Sequence, residues 1–211
     1  IDPSNKTLLD WALYYHKLGW CVLPARNKYP SLKSWKEYQN RCSTNDELKR
    51  WFSDPNVNGI AVVTGSISGV VVLDVDEGAD TTGLALPPTV VAKTGGKGTH
   101  NYFRIPQGKS LKNSAGKIRE HIDFRGEGGI AILPPSVHPS GNKYEWVDGL
   151  SPEDVEIAEM PEWLLTSIES KNAPTVHDWK EIVGGVDDGM RNATGTTVIG
   201  KVLHHFPSGD W

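Results

Sequence analysis

Acidic side chains at two places in this sequence are spaced to hold a hard cation. Leu73-Asp74-Val75-Asp76 closes a β-branched run that begins at Gly69. Side chains alternate along a strand, so Asp74 and Asp76 share one face about 7 Å apart, while Leu73 and Val75 turn into a core. Such a pair suits divalent cations, which prefer oxygen ligands; two strand-end aspartates facing water are the other reading. Ile122-Asp123-Phe124-Arg125 repeats the alternation, with Asp123 and Arg125 on the polar face and Asp123 as a third carboxylate. Between these stretches lies Lys93-Thr-Gly-Gly-Lys-Gly-Thr-His100. Glycine-rich backbone beside lysine suits phosphate, because amides approach closely and the ammonium supplies charge. It is not a P-loop: Gly96-Lys97 is followed by Gly98 instead of Ser or Thr, and position 91 is Val. On the following strand His100, Tyr102 and Arg104 share a face, which could grip a polyphosphate; a surface histidine is the plainer alternative. Ser136 and His138 stand together in Pro134-Pro-Ser-Val-His138, but no Gly-x-Ser-x-Gly elbow surrounds the serine, which argues against a serine hydrolase. Two metals on Asp74, Asp76 and Asp123 could activate a hydroxyl and neutralise a leaving pyrophosphate.

The elements that must position these residues are legible in the spacing. Leu8, Trp11, Ala12, Tyr15 and Leu18 recur at helical intervals over 7–18, with Gly19 as a stop. A short strand over 20–23 is ended by Pro24, and 25–34 reads as a loop. A helix over 44–52 opens on Ser43 or Thr44. Strands follow at 59–64, 69–76, 89–93, 99–105, 121–125 and 129–133, with turn-rich 107–116 between two of them. A helix over 159–170 has Pro161 near its start. The fold class is α+β, a strand-built core with helices at both ends. The expected domains are residues 1–170, a linker over 171–183 and the start of a helical accessory segment over 184–211.

Composition and charge narrow the function. With 37% hydrophobic residues and eight Trp, the 211-residue chain can close a core, which excludes wholesale disorder. No apolar run approaches the ~20 residues of a membrane-spanning helix, and no apolar leader opens the sequence. Cys21 and Cys42 are too few for a zinc site or a disulfide scaffold, so no zinc is expected and the expected location is the cytoplasm. The net charge of −4 is unevenly spread: residues 91–125 hold eight Lys/Arg against two acidic residues, and 151–190 hold ten acidic residues against two Lys. A polyanion is drawn to the middle of the chain and repelled by the later part; a solvated lysine face is the other reading. Lys109, Lys112 and Lys117, expected in a flexible loop, are the candidates for tracking a nucleic-acid backbone.

The ordered set of motifs resembles the bifunctional primase–polymerase branch of the archaeo-eukaryotic primase superfamily. The residues that carry the likeness are Asp74-Val-Asp76, Gly98-Thr99-His100 and Ile122-Asp123, then Asp-x-Arg-Gly-Glu-Gly-Gly, Pro-Pro-Ser-x-His and Tyr-x-Trp within 121–146, with Gly19-Trp20, Lys28-x-Pro30 and Trp35 before them. It spans roughly 7–165. The resemblance implies an RRM-like catalytic sheet joined to an amino-terminal α/β module, with a C-terminal helical extension. It implies two Mg²⁺ or Mn²⁺ ions on Asp74, Asp76 and Asp123, and nucleotide phosphates at His100, reached past the Gly98-Thr99 turn. Lys97, Arg125, Ser136 and His138 become nucleotide neighbours. The implied activity is template-dependent addition of dNTPs or NTPs to a 3′-hydroxyl on single-stranded or primed DNA, in replication of a plasmid, phage or mobile element. A helicase module, in the same longer chain or in trans, is the implied partner. A non-catalytic replication-origin or single-stranded DNA binding module, and a metal-dependent glycosyltransferase using Asp-x-Asp, are the rivals.

Overall fold

The computed structural model describes residues 6–172, with the side chains of 115–117 and 171–172 outside it. The expected linker beyond 172 and the helical segment over 184–211 therefore lie outside the described residues. Helix α1 (Leu8–Lys17) starts at Thr7, whose hydroxyl accepts from the Asp10 N–H while the Asp10 carboxylate accepts from the Thr7 N–H. This reciprocal cap satisfies two otherwise orphaned donors, an effect of about 1 kcal/mol. Leu18 is the C-cap and is exposed, so it leaves the apolar face it was assigned to. Gly19, with φ of 89°, turns the chain away. Helix α2 (Asn45–Phe52) uses the same device with Thr44 and Glu47.

Strand β1 (Val22–Arg26) runs through Pro24 instead of stopping there. Val63 N donates to Cys21 O at 2.9 Å, which sets residues 23 and 25 to bond β3 and turns the backbone of residue 24 to the other side. There Ser31 N still donates to Pro24 O at 2.9 Å, and only the reciprocal donor is lost. The expected loop over 25–34 is partly a hairpin: β2 (Tyr29–Pro30) folds back on β1 with Arg26 opposite Tyr29. With β3 (Gly59–Val63) and β9 (Ile130–Leu133) these strands form an antiparallel sheet in the order β2-β1-β3-β9. This smaller sheet is not purely amino-terminal, because β9 comes from much later in the chain and pairs with β3.

The larger sheet runs β10-β5-β6-β4-β8-β7, from β4 (Val70–Val75), β5 (Val91–Lys93), β6 (Thr99–Arg104), β7 (Ser114–Arg119), β8 (Ile122–Arg125) and β10 (Glu145–Trp146). Its neighbours are antiparallel, while β11 (Ala158–Glu159) pairs in parallel with the end of β6 that β5 leaves uncovered. Strand β7 begins within the last residues of the segment expected to be turns and runs on to Arg119. Its few β-branched residues give it no alternating signature, and pairing with β8 determines it. The described part of the fold is α+β, as expected.

Alternation along β4 feeds two cores. Val71, Leu73 and Val75 pack with Phe103, Ile122 and Phe124 beneath α3 (Glu162–Asn172), which contributes Leu164 and Ile168. Val70 and Val72 face the smaller sheet and α1, among Val22, Ile60, Val62, Ala12 and Tyr15. An aromatic column crosses this second core. Tyr15 stacks on Trp20 at 5.6 Å between centroids, and Trp20 on Tyr102 at 5.7 Å. Trp146 Nε1 donates to the Tyr15 hydroxyl at 3.1 Å, which itself donates to Pro134 O at 2.8 Å. These bonds fasten the segment that follows β9 to α1.

Candidate active site

Asp74 is the next residue on the β4 face that carries Val70 and Val72. Directly opposite it on β6 is His100, and directly opposite on β8 is Asp123. Cross-strand partners on one face hold their Cβ atoms about 5 Å apart, so the three side chains stand in a row. Asp76 comes one pleat later. Its N–H donates to His121 O at 2.9 Å, which continues the β4–β8 ladder past the strand end and keeps Asp76 on the same face.

The row carries its own counter-charge. Arg125, opposite Val72, donates from Nη2 at 2.9 Å to Asp74 Oδ2 and at 2.9 Å to Asp123 Oδ2. His100 Nε2 lies 3.4 Å from Asp74 Oδ1. Burial, the largest single influence on Asp74, pushes its pKa up, but the bonds and charges of His100 and then Arg125 outweigh it and hold the carboxyl at about 2. Asp76 goes the other way: burial first, then the charges of Asp74 and Asp123, raise it. Two neighbouring aspartates thus differ because only one has cations bonded to it.

His100 is buried, and its Nδ1 has no hydrogen-bond partner among the described residues. Its ring sits 6.3 Å from Tyr102 at the end of the aromatic column and 5.8 Å from Tyr144. Tyr144 is buried, and burial followed by the Asp74 and Asp76 charges pushes its hydroxyl to about 12. It therefore stands beside His100 as a proton-bearing group. Sequence reading missed it as a site residue because it follows an irregular turn, where no periodicity assigns a face.

The remaining expected site residues divide. Gly98 belongs where it is for a reason of packing: a Cβ there would overlap Val75 O and stand 3.1 Å from Asp76 Cα. The β5–β6 loop can lie against the end of β4 only without a side chain at that position. Lys97, at φ of 68°, pairs with Glu77 at 3.1 Å beside Asp76. His138 packs over the same loop, where a Cβ on Gly96 would stand 3.8 Å from its Nε2, and its ring is 6.0 Å from Tyr144.

Thr99 and Ser136 stand apart from the row. Thr99 adjoins His100 on an alternating strand, so its side chain is on the opposite face, where its Oγ1 accepts from Asn101 Nδ2 at 3.2 Å. Ser136 is 1% exposed, and its Oγ accepts from Ile60 N at 2.7 Å and donates to Leu133 O at 2.5 Å. It stitches β3 to the end of β9 and has no surface to offer a nucleotide. Lys109 pairs with Glu169 of α3 at 2.5 Å, Lys112 is exposed with its backbone in a β-bridge to that of Glu127, and Lys117 lies on β7, so the three are not in one loop.

Among the described residues, no three His, Cys, Asp or Glu side chains are closed into a group that could hold a metal ion. The donor chemistry nevertheless fits a hard divalent cation. Asp74 and Asp123 offer oxygens to one shared positive group, and that group is now the Arg125 guanidinium.

The profile of the Prim-Pol family, described as bifunctional DNA primase/polymerase, N-terminal, matches residues 12–163. Comparison with curated proteins gave no match. The matched span takes in the later part of α1, both sheets and every residue of the carboxylate row, more than half of the 211 residues. That extent, together with Asp74, His100 and Asp123 side by side on one sheet face, identifies the chain as a member of the bifunctional DNA primase/polymerase family.

Proposed function

We propose that this chain is a template-dependent nucleotidyltransferase that extends, and also starts, strands on single-stranded or primed DNA from dNTPs or NTPs. The family carries primase/polymerase activity, for which DNA and nucleotides are the substrates. The single observation that carries the residue-level reading is the cross-strand row His100–Asp74–Asp123 with Asp76 one pleat beyond. Asp74, Asp76 and Asp123 would hold two Mg²⁺ or Mn²⁺ ions. Bound there, the ions would favour the ionised 3′-hydroxyl and neutralise the charge that grows on pyrophosphate as the α–β phosphoanhydride bond breaks.

The chain's own groups do the rest. His100, adjoining Asp74, contacts the triphosphate, with Lys97 and His138 on the loops beside it. Arg125 releases the carboxylates and turns its fork to phosphate oxygens, a geometry guanidinium favours. The Tyr144 hydroxyl stays protonated and donates. In this reading the larger sheet is the RRM-like catalytic sheet of a domain over 1–170, and Lys112 and Lys117 lie along the template path. A helicase partner and service to a plasmid, phage or mobile element complete the proposal.

One observation favours a second reading, a non-catalytic single-stranded DNA binding module: Arg125 already neutralises two of the three carboxylates. Primer extension and unprimed synthesis, each with Mg²⁺ or Mn²⁺, on wild type and Asp76→Asn separate the two. Metal-dependent incorporation lost in Asp76→Asn supports the enzyme; DNA binding with no incorporation under any condition supports the module.

A further inference from the structure

The turn between β1 and β2 is built from Asn27 and Lys28, at φ of 50° and 65°. Positive φ at both residues of a two-residue hairpin marks the type I′ turn, whose second position ordinarily holds glycine. A lysine there is conformationally costly, so formation of the turn does not by itself account for it. The turn is also held firmly in place. Asn27 N donates to Asn58 Oδ1 at 3.0 Å, and Asn58 Nδ2 donates back to Asn27 Oδ1 at 3.2 Å. The Asn58 carbonyl accepts from Val137 N at 3.1 Å, which ties the turn to the segment carrying His138. Burial and then the Lys28 charge lower the His138 pKa, as expected for neighbours.

His138 leads back to the carboxylates through Tyr144 and His100, ring beside ring. A path thus runs from Asp74 along the rings of His100, Tyr144 and His138, and the bonds through Asn58 tie the His138 segment to the turn that carries Lys28. Lys28 is exposed and forms no ion pair among the described residues, whereas Lys97 on the neighbouring loop is engaged by Glu77.

We propose that Lys28 is a phosphate-binding residue at the far end of this path, its ammonium taking an oxygen of a phosphate carried by the incoming nucleotide or by a nucleic-acid strand. The inference rests on the nucleotidyltransferase reading above. An ammonium on a rigid turn beside a histidine gives a charge-assisted contact without first ordering a loop.

Lys28→Gly tests it, because glycine relieves the turn while deleting the charge. Binding of fluorescent dATP, its displacement by tripolyphosphate, and binding of a single-stranded oligonucleotide are measured on the full chain, with melting temperature alongside. The expected result is an unchanged or raised melting temperature with affinity lowered roughly three- to tenfold, and Lys28→Arg near wild type. Loss toward dATP and tripolyphosphate assigns the contact to the nucleotide; loss confined to the oligonucleotide assigns it to the strand. Should Lys28→Gly lower the melting temperature, Lys28→Gln replaces it in the same assays. Unchanged affinity in all of them overturns the inference alone. A wild type that binds neither ligand overturns the nucleotidyltransferase reading with it.

Discussion

Arg125 Nη2 lies 2.9 Å from Asp74 Oδ2, a positive charge held within the carboxylate row. The same nitrogen reaches Asp123 equally closely, so one guanidinium does for two carboxylates what a divalent cation would do. Removing it leaves two neighbouring anions with less compensation. Arg125→Met is expected to lower stability by about 1–2 kcal/mol, a modest figure because the guanidinium is partly in water. Added Mg²⁺ or Mn²⁺ should recover much of the loss. Thermal melts of wild type and variant, each in chelator and in metal, check this; equal metal-induced shifts in the two would refute it.

Asp74 in β4 and Asp76 just past its end give opposite pH dependences. Asp74, held at about 2 against an ordinary 3.8, contributes stability that is fully present above pH 4 and is lost as pH falls through 2. That contribution is worth about 2 kcal/mol. Asp76 is raised, so its contribution falls as pH climbs from its ordinary value through its folded one. Asp76→Asn should therefore melt at or above the wild-type temperature at pH 7, while Asp74→Asn melts lower there. Melting curves from pH 2 to pH 8 read both signs at once.

Loss of activity must be separable from loss of fold. Asp76→Asn and Asp123→Asn are each expected to cut nucleotide incorporation by on the order of a thousandfold or more, with circular dichroism and melting close to wild type. His100→Ala should weaken nucleotide binding more than template binding. Primer extension in parallel with oligonucleotide anisotropy distinguishes these outcomes; retained incorporation in either aspartate variant would remove that residue from the chemistry.

Gly98 is where packing and site meet. Gly98→Ala drives a methyl group into Val75 O, with Asp76 next in line. Backbone cannot swing aside as a flexible side chain can, so a cost of about 2 kcal/mol is expected. The end of β4 should shift and Asp76 with it. Chemical denaturation gives the first quantity, and incorporation by the folded variant gives the second.

Much of this was legible in the residues themselves. Alternation placed Asp74 with Asp76, and Asp123 with Arg125, on polar faces, because a strand has a side-chain period of two whatever it pairs with. The Thr44 cap, one of two candidates at that helix start, was equally local, set by residues three positions apart. Which strands would be neighbours was not local. His100, Asp74 and Asp123 became a row only through the order β6-β4-β8, a register that strand pairing decides and no short stretch of chain encodes. The same holds for Ser136 and Tyr144. One is withdrawn into the backbone of β3 and β9, and the other is set beside His100, by contacts between residues far apart in sequence. The sequence by itself therefore determined the chemical groups and their faces, since those follow from residue type and backbone period. The tertiary structure alone decided which groups share a charge environment, since electrostatic coupling depends on distance in space.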